Sequence, residues 1–340
     1  MAVAGPAGHA PLAVSLGDPA GIGPECIAEA WARRRDAALP PFFVVHGTEL
    51  LRRAAEARGL TIAVRAIAGP EETAAVFDGA LPVLGARDAD YRPGEPDGEG
   101  AALALASLTD AVEFARKGTA GAVVTAPISK AELARVGFTQ PGQTEFLADA
   151  CGLPRENAVM MLAGPTLRTV PLTVHAALSQ VPALLSRELI VHRARIVAAA
   201  LRRDFGLAGP RLAITGLNPH AGEEGRFGDE EIRIIAPAVA QLREEGIAAS
   251  GPHPADALFA PHARAGFDAA LCMYHDQALI PIKALEFDAG VNTTLGLPIV
   301  RTSPDHGTAF AIAGQRTARA DATIAAIRLA GQCAARRLPA

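Results

Sequence analysis

The chain lacks most of the features that would assign a protein to a class at first sight. No run of about eighteen apolar residues interrupts its 340 residues, so no membrane span is expected. Its net charge is −4, and no Lys/Arg block is longer than Arg33–Arg35, so no nucleic-acid partner is expected. Residues 1–11 lack the basic and apolar regions of a signal peptide. We therefore expect a cytoplasmic protein.

Cysteine and the common cofactor motifs are also scarce. The four cysteines are far apart and form no CxxC pair, which favours reduced thiols over a cysteine metal site: Cys26, Cys151, Cys272 and Cys333. The sequence contains neither GxGxxG nor GxxxxGK, so a Rossmann fingerprint or a P-loop is not indicated. It also lacks the GxSxG pattern of serine hydrolases.

Short apolar runs alternate with amphipathic, Ala-rich segments. The spacing predicts strands at 12–16, 42–46, 122–124, 211–216 and 269–273, and helices at 49–58, 101–117, 186–205 and 230–245. Residues 158–162 and 168–173 are predicted to form a hairpin. This alternation is typical of an α/β protein with a mainly parallel sheet.

Polar residues are dense near the end of the chain. His275, Asp276 and Gln277 are followed by Lys283, Asn292, Arg301 and the segment Asp305–Thr308, with apolar runs between them. α/β enzymes usually place their chemistry at the ends of buried strands. Lys283, Asn292 and Arg301 could cradle an anionic substrate, although each alone is more typical of a protein surface.

Three histidines each come directly after a strand-like run: His175, His220 and His275. They could converge at one edge of a sheet, and three imidazoles suit a catalytic Zn²⁺ or a similar divalent ion. Their long spacings match no local zinc motif. Three separate histidines satisfied by backbone carbonyls remain the alternative.

Two segments are typical of helix starts. Residues 17–25 (GDPAGIGPE) follow a strand, so the turn could bind an anion or could be a tight turn without a ligand. In residues 141–146 (PGQTEF), Gln143 and Thr144 could donate to a phosphate or carboxylate, or Thr144 could simply cap the helix.

Six motifs in fixed order give the chain a family resemblance. They are GDPAGIGPE (17–25), TAPISK (125–130), PGQTEFLA (141–148), GLNPHAGE (216–223), YHDQ (274–277) and NTTLGLPIVRTSPDHGTA (292–309). Together they resemble the 4-hydroxythreonine-4-phosphate dehydrogenase (PdxA) family of vitamin B6 biosynthesis over roughly residues 11–330.

The resemblance implies a fold like that of isocitrate and isopropylmalate dehydrogenases, with two α/β/α domains and a cleft between them. The first domain would hold residues 1–130 and about 300–340, and the second about 131–300. The resemblance also implies a homodimer with shared active sites, in which the metal ligand equivalent to His275 comes from the partner.

The resemblance further implies site residues and cofactors. His175, His220 and His275 match the ligands of a divalent metal (zinc, magnesium or cobalt), and Thr144, Lys283, Asn292 and Arg301 match substrate contacts. Residues His306, Gly307 and Thr308 resemble a loop that holds the adenosine side of NAD or NADP. The family commonly has His where this chain has Gln143, which could still donate a hydrogen bond to phosphate but could not carry a proton.

The implied reaction is oxidation of 4-phosphooxy-L-threonine at C3, with Lys283 or Asp276 as the proton acceptor. The product, 2-amino-3-oxo-4-phosphooxybutyrate, would lose CO₂ to give 3-amino-2-oxopropyl phosphate. Gln143 keeps open a paralogue acting on 4-phospho-D-threonate, D-erythronate 4-phosphate or a cis-dihydrodiol dicarboxylate. A non-catalytic metal- or phosphate-binding protein is the more distant alternative.

Overall fold

The computed structural model describes residues 10–337, so most of the segment considered for a signal peptide lies outside the described residues. The strands are β1 (Leu12–Ser15), β2 (Phe42–Val45), β3 (Val64–Ile67), β4 (Leu81–Leu84), β5 (Val123–Thr125), β6 (Val159–Ala163), β7 (Arg168–Pro171), β8 (Arg211–Thr215), β9 (Ala248–His253), β10 (Ala269–Cys272), β11 (Val291–Leu295) and β12 (Arg301–Pro304).

The α-helices are α1 (Gly23–Ala32), α2 (Thr48–Arg58), α3 (Thr73–Phe77), α4 (Gly98–Arg116), α5 (Lys130–Arg135), α6 (Gln143–Ala150), α7 (Val181–Leu184), α8 (Arg187–Phe205), α9 (Ala236–Glu244), α10 (Ala255–Leu258), α11 (Pro261–Arg264), α12 (His275–Glu286) and α13 (Asp321–Arg336). No helix within residues 10–337 is both long enough and apolar enough to cross a membrane. The alternation of strands and helices confirms the predicted α/β class.

The chain divides into two compact units. Unit 1 holds residues 1–155 and 297–340, and unit 2 holds residues 156–296. The sequence-based boundary near residue 130 differs from this division, because α5 packs against α4 and Gln143 Nε2 donates to the Ala126 carbonyl of unit 1.

Unit 1 contains a parallel sheet in the order β3-β4-β2-β1-β5-β12. Its central strands β1 and β2 are buried at every position, as expected when helices cover both faces of a parallel sheet. Helix α2 ends at Gly59, whose φ of 80° provides the left-handed residue that commonly closes a helix.

Unit 2 orders its strands β11-β6-β7-β10-β8-β9. Strands β6 and β7 form the predicted antiparallel hairpin, and β11 pairs antiparallel with β6. Strands β7, β10, β8 and β9 are parallel neighbours. Helix α8 begins where predicted, because the Ser186 hydroxyl accepts from the Leu189 N–H at 3.1 Å.

Some local predictions were wrong. The helix predicted at 230–245 begins with a π-helical turn, Glu231–Ile235, before α9; Pro237 follows within the first turn of α9 and cannot donate an N–H. Thr144 does not cap α6, whose N-cap is Gly142 without a side-chain hydrogen bond. All four cysteines are free, as predicted.

Candidate active site

Three adjacent parallel strands of unit 2 carry the three candidate metal ligands. His175 follows β7, His275 follows β10 and His220 follows β8, and the order of these strands in the sheet is β7-β10-β8. Parallel strands present their carboxyl ends at the same edge of a sheet. The fold therefore places all three imidazoles beyond that edge.

His175 and His275 lie side by side. The Thr173 hydroxyl donates to the Met273 carbonyl at 2.8 Å, which ties the segment after β7 to the segment after β10. The two imidazole ring centroids are 6.4 Å apart. His175 has a φ of 54°, a left-handed conformation that L-residues adopt at a cost, so this backbone is held by its surroundings.

Asp276 and Gln277 orient the start of α12. The Asp276 carboxylate is 2.7 Å from Nδ1 of His275, which leaves Nε2 as the ring atom facing away from that contact. The Gln277 amide oxygen accepts from the Met273 N–H and the Thr215 hydroxyl, and its nitrogen donates to the Gly216 carbonyl. Gln277 thus joins the ends of β10 and β8.

His220 lies in a turn of unusual handedness. Five consecutive residues, His220, Ala221, Gly222, Glu223 and Glu224, have φ values of 52°, 54°, 83°, 43° and 56°. A left-handed conformation costs an L-residue roughly 1–2 kcal/mol. The buried carboxylate of Glu231 accepts from the Leu217 and Asn218 N–H groups beside this turn.

The three imidazoles do not form a closed metal site in one chain. Within residues 10–337, no group of three or more His, Cys, Asp or Glu side chains is placed to hold a metal ion. His220 instead has its ring 6.4 Å from that of Phe227. The prediction that all three bind one ion therefore stays a prediction.

Lys283 and Asn292 also belong to unit 2. Lys283 lies on α12, eight positions after His275, and is half-buried. Asn292 lies on β11, and its amide oxygen is buried without a hydrogen-bond partner among the described residues. An unpaired buried acceptor favours a donor on a bound molecule, because leaving it unmet costs free energy.

Unit 1 contains a buried cation. Arg301 is 4% exposed, and its guanidinium donates to the Thr125 hydroxyl at 2.7 Å and to the Gln143 amide oxygen at 2.7 Å. Burial lowers the pKa of Arg301 to about 10, so it remains a cation at neutral pH. Thr125 was not recognised from the sequence, where it looks like any residue at a strand end.

Gln143 uses both ends of its amide within unit 1. Its oxygen accepts from Arg301 and its nitrogen donates to the Ala126 carbonyl at 3.3 Å. Its observed role is therefore to hold the guanidinium. Thr144 is the next residue of α6 and is half-buried.

The segment after β12 packs against the glycine-rich turn of unit 1. The Thr308 carbonyl accepts from the Ile22 N–H at 2.9 Å, and a Cβ on Gly21 would lie 2.7 Å from that carbonyl oxygen. Glycine is needed there for close approach of the two segments. His306 Nδ1 is near the Gly307 carbonyl, whereas its Nε2 is buried and has no partner in the described part of the chain.

Comparison with known proteins agrees with this picture. Residues 38–330 match the family described as pyridoxal phosphate biosynthetic protein PdxA. A 4-hydroxythreonine-4-phosphate dehydrogenase from Erythrobacter litoralis is 64% identical over 97% of this chain and 98% of its own. Another from Zymomonas mobilis is 52% identical over 96% of each chain.

Solved structures give the same result. A crystal structure of 4-hydroxythreonine-4-phosphate dehydrogenase from Klebsiella pneumoniae has a TM-score of 0.87 at 38% identity, covering 97% of this chain and 99% of its own. A terephthalate 1,2-cis-dihydrodioldehydrogenase from Burkholderia xenovorans has a TM-score of 0.65 at 29% identity, covering 96% and 98%. The resemblance drawn from the six motifs is confirmed, and the chain belongs to the PdxA family of pyridoxal phosphate biosynthetic proteins.

Proposed function

We propose that this chain is an NAD(P)-dependent, divalent-metal-dependent 4-hydroxythreonine-4-phosphate dehydrogenase of the cytoplasm. Its substrate is 4-phosphooxy-L-threonine, and the oxidised product loses CO₂ to give 3-amino-2-oxopropyl phosphate for pyridoxal phosphate synthesis. The observation that carries this proposal is the placement of His175, His275 and His220 after three adjacent parallel strands, in a chain 64% identical to a relative of that name.

The donor set fits a divalent ion such as zinc or cobalt, whereas magnesium prefers oxygen ligands. Three neutral imidazoles suit zinc and cobalt, and the Asp276 carboxylate on Nδ1 of His275 is the partner that often orients a metal-binding ring. A divalent ion held there would lower the pKa of the substrate hydroxyl and stabilise negative charge on its oxygen.

Lys283 is the better candidate for the proton acceptor. Asp276 is 70% exposed and its carboxylate already contacts His275, so its role is to orient that ring. Lys283 lies on the same helix, eight positions after His275, and is half-buried, and a lysine amine is among the side-chain groups that serve as general bases.

In unit 1 we assign Arg301 and Thr144 to substrate binding, and in unit 2 we assign Lys283 and Asn292 to substrate binding. A buried guanidinium already held by Thr125 and Gln143 loses little side-chain freedom on binding, and charge-assisted hydrogen bonds are the strong ones. Gln143 acts through Arg301 in this proposal.

The dinucleotide is assigned to His306, Gly307 and Thr308. The buried Nε2 of His306, which has no partner among the described residues, can meet a polar group of the ligand, and a side chain on Gly307 would meet open space. NAD or NADP bound there would accept the hydride from C3 of the substrate.

The active unit is a homodimer in which the partner completes each metal site. Large exposed apolar side chains in unit 2 follow each histidine closely: Leu178 and Leu184, Phe227 and Ile232, and Ile280, Leu285 and Phe287. Large apolar side chains exposed on one chain favour burial against a partner. A second copy would cover these side chains and bring further imidazoles to a set that residues 10–337 of one chain leave incomplete.

The test is an absorbance assay of NAD(P)H formation from 4-phosphooxy-L-threonine with added Zn²⁺, Mg²⁺ or Co²⁺. His275→Ala should lose bound metal and reduce kcat by about 100-fold or more, since charge stabilisation at the reacting oxygen is lost. His262→Ala, an exposed histidine of the same unit, is the matched control and should behave like the wild type. Full activity after removal of all metal would contradict the proposal.

A panel of substrates distinguishes the proposed 4-hydroxythreonine-4-phosphate dehydrogenase from a paralogue that acts on another substrate. The terephthalate dihydrodioldehydrogenase similarity and Gln143 both keep a different hydroxy acid open. Faster turnover of 4-phospho-D-threonate, D-erythronate 4-phosphate or a cis-dihydrodiol dicarboxylate would replace the vitamin B6 assignment while keeping the dehydrogenase class.

A further inference from the structure

The residues of the turn that carries His220 do not by themselves favour its left-handed conformation. Residues 220–224 read HAGEE, and all five have left-handed φ values although only Gly222 adopts them freely. Contacts from outside the turn must therefore hold this conformation.

A buried carboxylate lies at the entrance of the turn. Glu231 is 3% exposed, and its Oε1 accepts from the N–H groups of Leu217 at 2.7 Å and of Asn218 at 2.8 Å. Its Oε2 accepts from the Asn218 amide at 3.0 Å. One side chain thus satisfies two backbone donors and a side-chain donor at the entrance of the turn.

Two glycines make room for this carboxylate. A Cβ on Gly222 would lie 2.6 Å from Oε2 of Glu231, and a Cβ on Gly216 would lie 3.0 Å from Oε1. The carboxylate therefore fits closely against the backbone on both sides of His220.

We propose that Glu231 is a positioning residue that holds the left-handed turn and so presents the His220 imidazole for metal binding. This inference rests on the proposed function in one respect, the assignment of His220 as a ligand. It goes beyond it by naming the side chain that sets the position of that ligand.

The matched control is Glu230. It neighbours Glu231, and its carboxylate also accepts from the Asn218 side-chain amide, at 2.7 Å. The backbone N–H groups of Leu217 and Asn218 donate to Glu231 instead. Glu230→Gln therefore changes the same chemistry one residue away, while the two backbone hydrogen bonds to Glu231 remain.

The first measurement is amide hydrogen exchange at Leu217 and Asn218 in metal-free protein. Glu231→Ala should speed exchange at both amides about tenfold or more, because their acceptor is gone. Glu231→Gln should give an intermediate rate, since its amide oxygen can still accept while its nitrogen faces the Asn218 amide. Glu230→Gln should keep the wild-type rate.

The second measurement is the Zn²⁺ affinity of the purified wild-type and variant proteins by calorimetric titration. Glu231→Ala should weaken binding about 10- to 100-fold, the usual effect of losing a group that orients a ligand. Glu231→Gln should restore part of it. Faster exchange with unchanged Zn²⁺ affinity would overturn the positioning role, and so would wild-type exchange in Glu231→Ala.

The two proposals fail differently. A wild-type protein that binds no Zn²⁺, Mg²⁺ or Co²⁺ would contradict the proposed metal chemistry and, with it, the presentation of His220 as a ligand. Metal binding in the wild type that survives Glu231→Ala unchanged would refute the inference about Glu231 alone.

Discussion

Single residues show where sequence reasoning succeeds and where it stops. The positions of His175, His220 and His275 after strands could be predicted, because apolar runs mark buried strands and the next polar residue lies at their ends. The residues that hold these histidines in place could not be predicted. Nothing in the local pattern separates Glu231 from the other acidic residues nearby, since selection among them depends on burial and on a turn of unusual φ.

Gln143 stands where the family resemblance leads us to expect His, and its contacts predict the effect of replacing it with His. We expect Gln143→His to keep kcat/KM within about threefold of the wild type, because either side chain offers one acceptor to the guanidinium. A neutral imidazole can accept from Arg301, whereas a protonated one would be repelled by the buried cation, so the introduced imidazole should stay neutral.

The measurement is steady-state kinetics with 4-phosphooxy-L-threonine. Gln143→Leu is the matched control, because it fills a similar volume but leaves Arg301 without this acceptor. It should lower kcat/KM by about tenfold, the effect of losing one hydrogen bond to a charged group. A switch of preferred substrate in Gln143→His would instead favour the paralogue.

Regular elements were predicted better than irregular ones. Helices α4 and α8 have clear apolar periodicity, and the structure confirms them within a few residues. Strand β9 contains Gly251 and Pro252, which are unfavourable in strand interiors. Both residues are tolerated because β9 is the last strand of its sheet. The π-helical turn before α9 was not predicted, although Pro237, which cannot donate an N–H, follows it within the first turn of α9.

Helix α1 contains a buried acid that makes stability depend on pH. Glu25 is fully buried, and burial raises the pKa of its carboxyl above the ordinary value of 4.5, although Arg58 Nη1 at 3.9 Å opposes the shift. The folded state therefore binds this proton more tightly than the unfolded state does. The favourable contribution is complete below pH 4.5 and is lost as pH rises through the raised pKa.

We accordingly expect Glu25→Gln to raise the thermal unfolding midpoint at pH 7. The gain should shrink as the pH falls from the raised pKa of Glu25 toward 4.5 and disappear below 4.5, where both side chains are neutral in the folded and unfolded states. Scanning calorimetry from about pH 4 to pH 8 measures it, with the exposed Glu72→Gln as the control, which should change little. A difference that grows on acidification would contradict the assigned sign.

At the scale of the whole molecule, domain boundaries were the hardest feature to predict. The first unit retains residues 131–155 because of side-chain contacts such as Gln143 with Ala126 and with Arg301, and these contacts join residues far apart in sequence. Apolar periodicity reports local structure, so it carries no information about such pairs. Subunit association is equally hard to predict from sequence, because which apolar side chains are exposed is known only from the fold.

The shared metal site gives the last prediction. If His275 acts on an ion held by His175 and His220 of the other subunit, a heterodimer of His175→Ala and His275→Ala contains one intact site and one site lacking both ligands. Mixed subunits, purified by two different tags, should regain about half of the wild-type kcat, whereas each variant alone stays inactive. Within one chain the His175 and His275 ring centroids are 6.4 Å apart, so the alternative is that both ligands act within the same subunit. Verified heterodimers without activity would show that these two ligands act within one subunit, because every subunit would then lack one of them.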